Sequence, residues 1–221
     1  MRRVIYILFA VISIPLLLSG CAAKSYWFDF TDEPDLARND GVWTTQSTNY
    51  ELIPSTGLIL KGIWAAAPHF YNGDFKVEYV FEIKTDDTYY RMIYSLLSSD
   101  VDINEADWWG GLCITDFMYN IGDFRLSYVQ NGSFYPIATQ LPVSQILVYP
   151  GQNSVTIEKT GDLFSIELNG VELETGLEVS GYSLDWFCPV IISGYEPMAP
   201  WDLIVFKSLE VLYKGEQAPT Y

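Results

Sequence analysis

Several residue types are scarce in this 221-residue chain, and each scarcity excludes a class of function. Lys and Arg number 12 against 28 Asp and Glu, so the formal net charge is -16. Such an acidic excess repels phosphate backbones, and we expect no nucleic-acid partner. The single histidine, His69, excludes a zinc site of several histidines, and no Gly-x-Ser-x-Gly motif accompanies it. We therefore expect His69 to be a structural or surface residue.

Charged residues are also few, at 18%, whereas hydrophobic residues make up 49% and aromatic residues 16%. This composition excludes a disordered chain. No Gly/Ser-rich or Pro-rich linker interrupts residues 26–214, which predicts one domain, followed by a frayed tail over residues 215–221.

The N-terminus has the layout of a secretory signal over residues 1–20. Arg2 and Arg3 precede an apolar run over residues 4–17 that is short for a membrane span. Its ending, Leu18-Ser19-Gly20-Cys21, resembles the lipobox of bacterial lipoproteins. The resemblance implies cleavage before Cys21, which then carries the lipid. An ordinary signal peptide or a short anchor helix is the alternative.

A lipidated Cys21 would make the membrane a partner and residues 21–25 a tether. The expected location is the bacterial cell envelope, with the domain outside the cytoplasm. Ala22-Ala23-Lys24 contains no Asp after the cysteine, which fits the outer membrane in a Gram-negative host, by resemblance. Without residues 1–20, 10 Lys and Arg face 28 Asp and Glu, a charge of -18.

Cys113 and Cys188 remain in such a mature chain. Outside the cytoplasm two thiols can pair, so a Cys113–Cys188 disulfide is one expectation. Two separately buried cysteines that act as small hydrophobic residues are the other.

Period-two alternation is the main structural signal. In residues 76–84, Val77, Tyr79, Phe81 and Ile83 share one face and charged residues the other, as in a half-buried strand. Similar alternation recurs over residues 90–96, 124–128, 155–158 and 164–168. Asn-Gly turns at 72, 131 and 169 favour tight hairpins. About ten to twelve short strands with few helices predict an all-β antiparallel sandwich.

The order of these strands resembles a known superfold. An opening Trp27-Phe-Asp-Phe30 precedes Gly57-Leu-Ile-Leu-Lys-Gly62 and Asn72-Gly-Asp-Phe-Lys-Val-Glu-Tyr79. An Asn153-to-Gly170 hairpin then precedes a closing Phe206-Lys-Ser-Leu-Glu-Val-Leu-Tyr213. This resembles the concanavalin A-like lectin/glucanase jelly roll, including laminin-G-like and 3-keto-disaccharide-hydrolase-like domains. The resemblance implies a two-sheet jelly roll, and it leaves lectins, glycosidases, lyases and adhesion modules open.

Glycosidases of this fold carry a Glu-x-Asp-x-(x)-Glu strand whose two glutamates lie about 5 Å apart. That strand is absent. Glu78 and Glu82 share a strand face but lie roughly 13 Å apart along it. Glu105 and Asp107 fall in a polar loop. We therefore expect no catalytic residues and no cofactor, with one reservation for calcium.

The calcium candidate is the acidic stretch at residues 100–107. Asp100, Asp102, Asn104 and Asp107 begin like an EF-hand loop, but Glu105 stands where that loop needs Gly, and position 12 is Gly111. An exposed acidic loop without metal is the alternative reading.

The candidate ligand site is aromatic. Trp108 and Trp109 are adjacent, so on a strand one is exposed, and Tyr89, Arg91 and Asp116 can line the same concave face. Rings with carboxylates and an Arg suit a neutral or basic glycan, although rings also fill wide sandwich cores. Three functions stay open: a module binding a glycan or another surface ligand, a sugar-active hydrolase, and a structural or adhesion lipoprotein contacting an envelope protein.

Overall fold

The computed structural model describes residues 23–38, 41–45, 47–84, 92–98, 111–117, 123–130, 133–136, 141–142, 146–148, 150–178, 186–193 and 204–219. Within these ranges all regular structure is β-strand, and no helix that could cross a bilayer occurs among them. The strands are β1 Lys24–Asp29, β2 Ala37–Arg38, β3 Gly41–Val42, β4 Thr44–Thr45, β5 Tyr50–Ile53, β6 Gly57–Leu60, β7 Trp64–Ala66, β8 His69–Asn72, β9 Phe75–Ile83, β10 Met92–Ser98, β11 Gly111–Phe117, β12 Asp123–Gln130, β13 Ser133–Pro136, β14 Leu141–Pro142, β15 Gly151–Thr160, β16 Leu163–Leu168, β17 Val171–Glu178, β18 Trp186–Ser193, β19 Ile204–Tyr213 and β20 Gln217–Pro219.

Two antiparallel sheets contain nearly all of these strands. The first sheet has the order β17-β16-β15-β9-β19-β6-β5, and β1 also pairs with β19. The second has the order β13-β12-β11-β10-β18-β7-β4, with β8, β14 and β20 attached to it. The predicted all-β antiparallel sandwich is confirmed.

The core lies between the two sheets because alternate residues of each strand point inward. On β9, residues 75, 77, 79, 81 and 83 are all buried, whereas Lys76 and Lys84 are exposed, which confirms the predicted strand. Phe187 of β18 closes the sandwich onto Phe75 of β9, with 3.7 Å between their ring centroids. Tyr71 of β8 likewise packs on Tyr213 of β19, at 4.8 Å.

The second sheet is also covered on its other face along β18. Phe187, Pro189 and Ile191 are buried on the side of Phe187, and Cys188 and Val190 are buried on the opposite side. This agrees with the continuous apolar run over residues 189–192, since a strand covered on both faces does not alternate.

The three Asn-Gly pairs do not behave alike. Asn169 and Gly170 have φ of 53° and 74°, as a tight turn between β16 and β17 requires. Residues 131–132 lie outside the described residues, but β12 pairs with β13 through Gln130 opposite Ser133. Asn72-Gly73 is not a hairpin, because β8 belongs to the second sheet and β9 to the first.

A Cys113–Cys188 disulfide, one of the two expectations for these cysteines, does not fit the strand register. Cys188 is a free, buried thiol that donates a hydrogen bond to the Ala67 carbonyl at 3.3 Å. Cys188 lies opposite Ser98 of β10, and Cys113 lies opposite Leu96 on the other side of β10. Two strand spacings and a two-residue offset separate the Cα atoms by roughly 12 Å, and a disulfide bridges no more than about 7 Å.

The segment after residue 214 differs from the expected frayed tail. Gln217–Pro219 forms β20, which pairs with β8 through Gln217 opposite Tyr71 and Pro219 opposite His69. The Tyr213 hydroxyl also donates to the Gln217 side-chain oxygen. Backbone pairing with a strand distant in sequence orders this segment, and no local pattern signals such pairing.

Candidate functional site

The ligand residues predicted from the sequence fall mostly outside the described part of the chain. Tyr89, Arg91, Trp108 and Trp109 lie there, as do the calcium candidates Asp100, Asp102, Asn104 and Asp107. Among the residues that are described, no group of three or more His, Cys, Asp or Glu is placed to hold a metal ion.

Asp116 is the one predicted ligand residue within a described strand. Its Cα lies opposite Ile93 of β10 and Phe124 of β12. In the same pairing Met92 lies opposite Phe117, and Gly111 lies opposite Ser98. The strand ends that follow Arg91 and Trp109 in the chain are therefore roughly 20 Å apart. Asp116 is near the Met92 end.

A different set of polar residues forms a row across the first sheet. One face of this sheet packs on the second sheet, and its outer face points away from it. The strand residues that alternate with the buried ones lie on this outer face. Strand register places five of them side by side, and we call them the Trp27 row. They are Trp27 of β1, Glu210 of β19, Glu78 of β9, Thr156 of β15 and Glu167 of β16.

Trp27 is the most distinctive member of the row. Its side chain is 51% exposed, although its neighbours Tyr26 and Phe28 are buried in the core. The strand forces this contrast, because successive side chains point to opposite faces. A large indole ring is thus half-exposed at the position that strand register pairs with Glu210.

Glu78 and Glu210 form the centre of the row. They lie directly opposite each other on two antiparallel strands, so their Cβ atoms are roughly 5 Å apart. Both side chains are half-buried. The neighbouring row has a different charge pattern, because there Lys76 lies opposite Glu158.

The same outer face of the first sheet also carries an ion pair between Lys207 and Glu82. The Lys207 ammonium contacts the Glu82 carboxylate at 2.7 Å. The hydrogen bond from Lys207 is the main cause that lowers the pKa of Glu82 below its ordinary value, and burial opposes it. Glu82 is therefore a partnered, structural carboxylate, which separates it from the Glu78–Glu210 pair.

Sequence reasoning missed this row for a definite reason. It compared Glu78 with Glu82, which is close in the chain, whereas the spatial partner Glu210 is on another strand. Alternation over residues 76–84 assigned Glu78 to the polar face correctly. The same alternation at Tyr26, Trp27 and Phe28 was the available signal for an exposed Trp27.

A second candidate is a cleft of about 450 Å³ at the edge of the sandwich, which we call the edge cleft. Its lining residues come from β1, β8, the end of β19 and the C-terminal segment. They are Lys24, His69, Tyr213, Glu216 and Gln217.

The polar groups of the edge cleft hold the two termini of the domain together. Lys24 donates to the Gly215 carbonyl at 3.2 Å and lies 5.7 Å from the Tyr213 ring centroid. His69 is buried, with edge-on ring contacts to Tyr26 and Tyr71. Burial raises the pKa of Tyr213. These contacts give the cleft a structural role and place His69 in the core.

Comparison with known proteins gives a fold but no family. No protein-family model and no curated protein matches the chain. Solved structures similar to it include the CBM2 module of an evolved Dit protein of Lactobacillus casei BL23 phage J-1. The two sequences are 13% identical, the match covers 88% of this chain and 98% of the other, and the TM-score is 0.58.

Two further solved structures have the same architecture. One is a Bacillus subtilis protein of unknown function with a galectin-like fold. It is 12% identical, the match covers 90% of this chain and 98% of the other, and the TM-score is 0.58. The other is the endo-β-1,3-glucanase of Pyrococcus furiosus. It is 12% identical, the match covers 85% of this chain and 93% of the other, and the TM-score is 0.59. These likenesses confirm the predicted antiparallel two-sheet jelly-roll sandwich, a fold that the galectin-like protein and the glucanase share with this chain.

Proposed function

We propose that this protein is a lipid-anchored protein of the bacterial cell envelope whose sandwich binds a glycan on the Trp27 row. One observation carries the proposal: the half-exposed Trp27 ring lies opposite Glu210 on a sheet face, with Glu78 next in register. The names of two similar structures, a CBM2 module and an endo-β-1,3-glucanase, are consistent with a sugar ligand.

The chemistry of the row suits a sugar ring. Sugars have an apolar C–H face that stacks on indole, and hydroxyls that donate to carboxylates and to Thr156. The row spans several strands, so it accommodates consecutive units of a chain. Its three glutamates favour a neutral or basic glycan over an acidic one, because like charges repel.

Membrane attachment is the second part of the proposal. It rests on the Leu18-Ser19-Gly20-Cys21 sequence at the end of the short apolar segment. Acylation of Cys21 would hold the domain at a membrane surface, where a row of weak sugar contacts gains strength from many copies acting together.

Titration of a glycan panel against wild type, Trp27→Ala and Val42→Ala tests glycan binding, with and without Ca²⁺. Val42 is a matched control, since it is 59% exposed but belongs to β3, outside the first sheet. We expect Trp27→Ala to weaken binding about tenfold or more, and Val42→Ala to leave it unchanged. Equal affinity of Trp27→Ala and wild type would contradict the proposal.

The Glu78–Glu210 pair favours a second candidate function, hydrolysis of a glycan. Retaining glycosidases use two carboxyl groups about 5 to 5.5 Å apart, one as nucleophile and one as acid and base. Two glutamates directly opposite on paired strands are within reach of that spacing. In this role either residue would attack the anomeric carbon while the other protonates the leaving oxygen.

Turnover on a polysaccharide panel separates the two functions. For a hydrolase, Glu78→Gln and Glu210→Gln each abolish turnover, whereas Glu158→Gln, one row away on the same face, retains it. Binding that depends on Trp27, without turnover of any substrate in the panel, supports the binding function alone.

A further inference from the structure

We propose that Asn72 is a site of spontaneous covalent modification, at which the native protein converts its own Asn72-Gly73 peptide into aspartate and isoaspartate. Two of the three Asn-Gly pairs of the chain, at 72 and 169, fall within the described residues. In both pairs the asparagine is half-buried and the glycine is exposed. Because the two sites share sequence and exposure, a difference in their reactivity comes from what holds each asparagine side chain.

The reaction needs only the dipeptide and water. The backbone nitrogen of the glycine loses its proton to hydroxide and attacks Cγ of the asparagine, and Oδ1 takes the negative charge. The Cγ–Nδ2 bond then breaks, Nδ2 takes a proton from water and leaves as ammonia, and a succinimide ring remains. Water adds to either ring carbonyl and reopens the ring as aspartate or as isoaspartate, whose backbone runs through the former side chain. Glycine favours the attack because it has no Cβ to shield its nitrogen.

The hydrogen bonds of Asn72 permit this reaction. Its Oδ1 accepts from the Glu216 backbone amide, so a donor already points at the atom on which charge develops, as in an oxyanion hole. Its Nδ2, the group that leaves, donates to no acceptor among the described residues. Ring closure therefore keeps the one bond that stabilises the developing charge and breaks none at the leaving group.

Asn169 is held in a different way. Its Nδ2 donates to the Ile146 carbonyl at 2.8 Å and to Asn153 Oδ1 at 2.9 Å. Its Oδ1 accepts from the Ser154 amide at 2.8 Å. Loss of ammonia would break both Nδ2 bonds and leave their acceptors unsatisfied. The surroundings of Asn169 thus oppose the reaction that the surroundings of Asn72 permit.

Asn72 also joins the two segments that cross between the sheets. Residues 73–74 connect β8 to β9, and residues 214–216 connect β19 to β20. The Asn72 backbone amide donates to the Glu216 carbonyl at 3.1 Å, in addition to the side-chain bond from Glu216. Isoaspartate adds one carbon to the backbone here and places a carboxylate close to Glu216. We expect β20 to detach from β8, which opens the edge cleft that Glu216 and Gln217 line.

Peptide mapping of aged protein tests the modification. The full chain is incubated in mildly alkaline buffer, with and without urea, and mass spectrometry measures aspartate and isoaspartate at positions 72 and 169. In urea both positions should convert at similar rates, because the dipeptide is the same. In the native protein Asn72 should convert about tenfold or more faster than Asn169, since two hydrogen bonds retain Nδ2 of Asn169. A native Asn72 that converts no faster than Asn169 would overturn the proposal.

Hydrogen exchange tests the consequence for the C-terminal segment. Exchange at Gln217 and Ala218 should be faster in aged wild type than in wild type kept for the same time in mildly acidic buffer, where the glycine nitrogen keeps its proton. The matched variant Asn72→Gln keeps an amide but would have to close a larger ring, so its exchange should not change with age. Unchanged exchange in wild type that carries isoaspartate at position 72, or equal acceleration in aged Asn72→Gln, would overturn the part given to β20.

Discussion

Glu78 of β9 lies directly opposite Glu210 of β19, whereas two positions earlier on β9 Lys76 lies opposite Glu158 of β15. Like charges directly opposite each other destabilise a sheet, and opposite charges stabilise it. A repelling pair at the centre of a sheet is a local conflict of the kind that functional sites contain. This is the physical reason to connect the pair with the proposed glycan site.

The first prediction reverses one charge in each row. Glu210→Lys turns repulsion with Glu78 into attraction and should raise the free energy of unfolding by about 0.2 to 1 kcal/mol. Glu158→Lys places a lysine opposite Lys76 and should lower it by a similar amount. Urea unfolding at low salt measures both, and the differences should shrink at high salt. A destabilised Glu210→Lys protein would contradict the assigned register.

The second prediction concerns the Cys188 thiol. It is fully buried, and burial raises its pKa, so little reactive thiolate forms. Iodoacetamide should leave Cys188 unmodified in the native protein and alkylate it after unfolding without reductant. Peptide mass spectrometry reads out both states. A Cys113–Cys188 cross-linked peptide in the unreduced sample would contradict the structure.

The third prediction compares two glycines. A Cβ at Gly57 would lie 2.3 Å from the Phe206 carbonyl oxygen, at φ +125°, whereas a Cβ at Gly161, at φ +61°, meets no atom within 4 Å. Gly161→Ala should cost about 1 to 2 kcal/mol from its left-handed backbone alone. Gly57→Ala should cost more, since β6 must also move away from β19. Urea unfolding decides the order, and equal costs would contradict the close strand contact.

The fourth prediction tests a buried amide. Asn153 Nδ2 donates to the carbonyls of Val148 and Gly151, and its Oδ1 accepts from the Val148 amide and from Asn169 Nδ2. Asn153→Ala should lower the free energy of unfolding by about 3 kcal/mol, because it leaves several partners unsatisfied. Exposed Gln152→Ala should change it by no more than about 0.5 kcal/mol. Similar losses in the two variants would contradict the network.

The fifth prediction is a pH dependence. Lys207 lowers the folded-state pKa of Glu82 from an unfolded value of 4.5, so the pair adds stability above that value and loses it as pH falls through the folded pKa. Lys207→Met should cost no more than about 1 kcal/mol at pH 7, since the pair is partly exposed, and less at pH 3. Unfolding curves at both pH values measure this. A cost that grows toward pH 3 would contradict the assigned pairing.

The sequence predicted several strands correctly, but it did not predict the candidate site. Alternation of apolar and polar residues identified β9, β12, β15 and β16. These signals are local, because each strand side chain alternates with its immediate neighbours. The antiparallel class followed from many short strands with turn residues between them.

The candidate site depends on contacts between strands that are distant in the sequence, and no local pattern of residues predicts such contacts. Glu210 reaches Glu78, and Trp27 reaches Glu210, only after distant strands pair in one register. The same holds for Cys113 and Cys188, which the intervening β10 keeps apart, and for β20, which exists through its pairing with β8. Strand identity depends on the side-chain period along the chain, which the sequence by itself determined. Strand partnership depends on which register buries both inner faces together, and only the tertiary structure decided it.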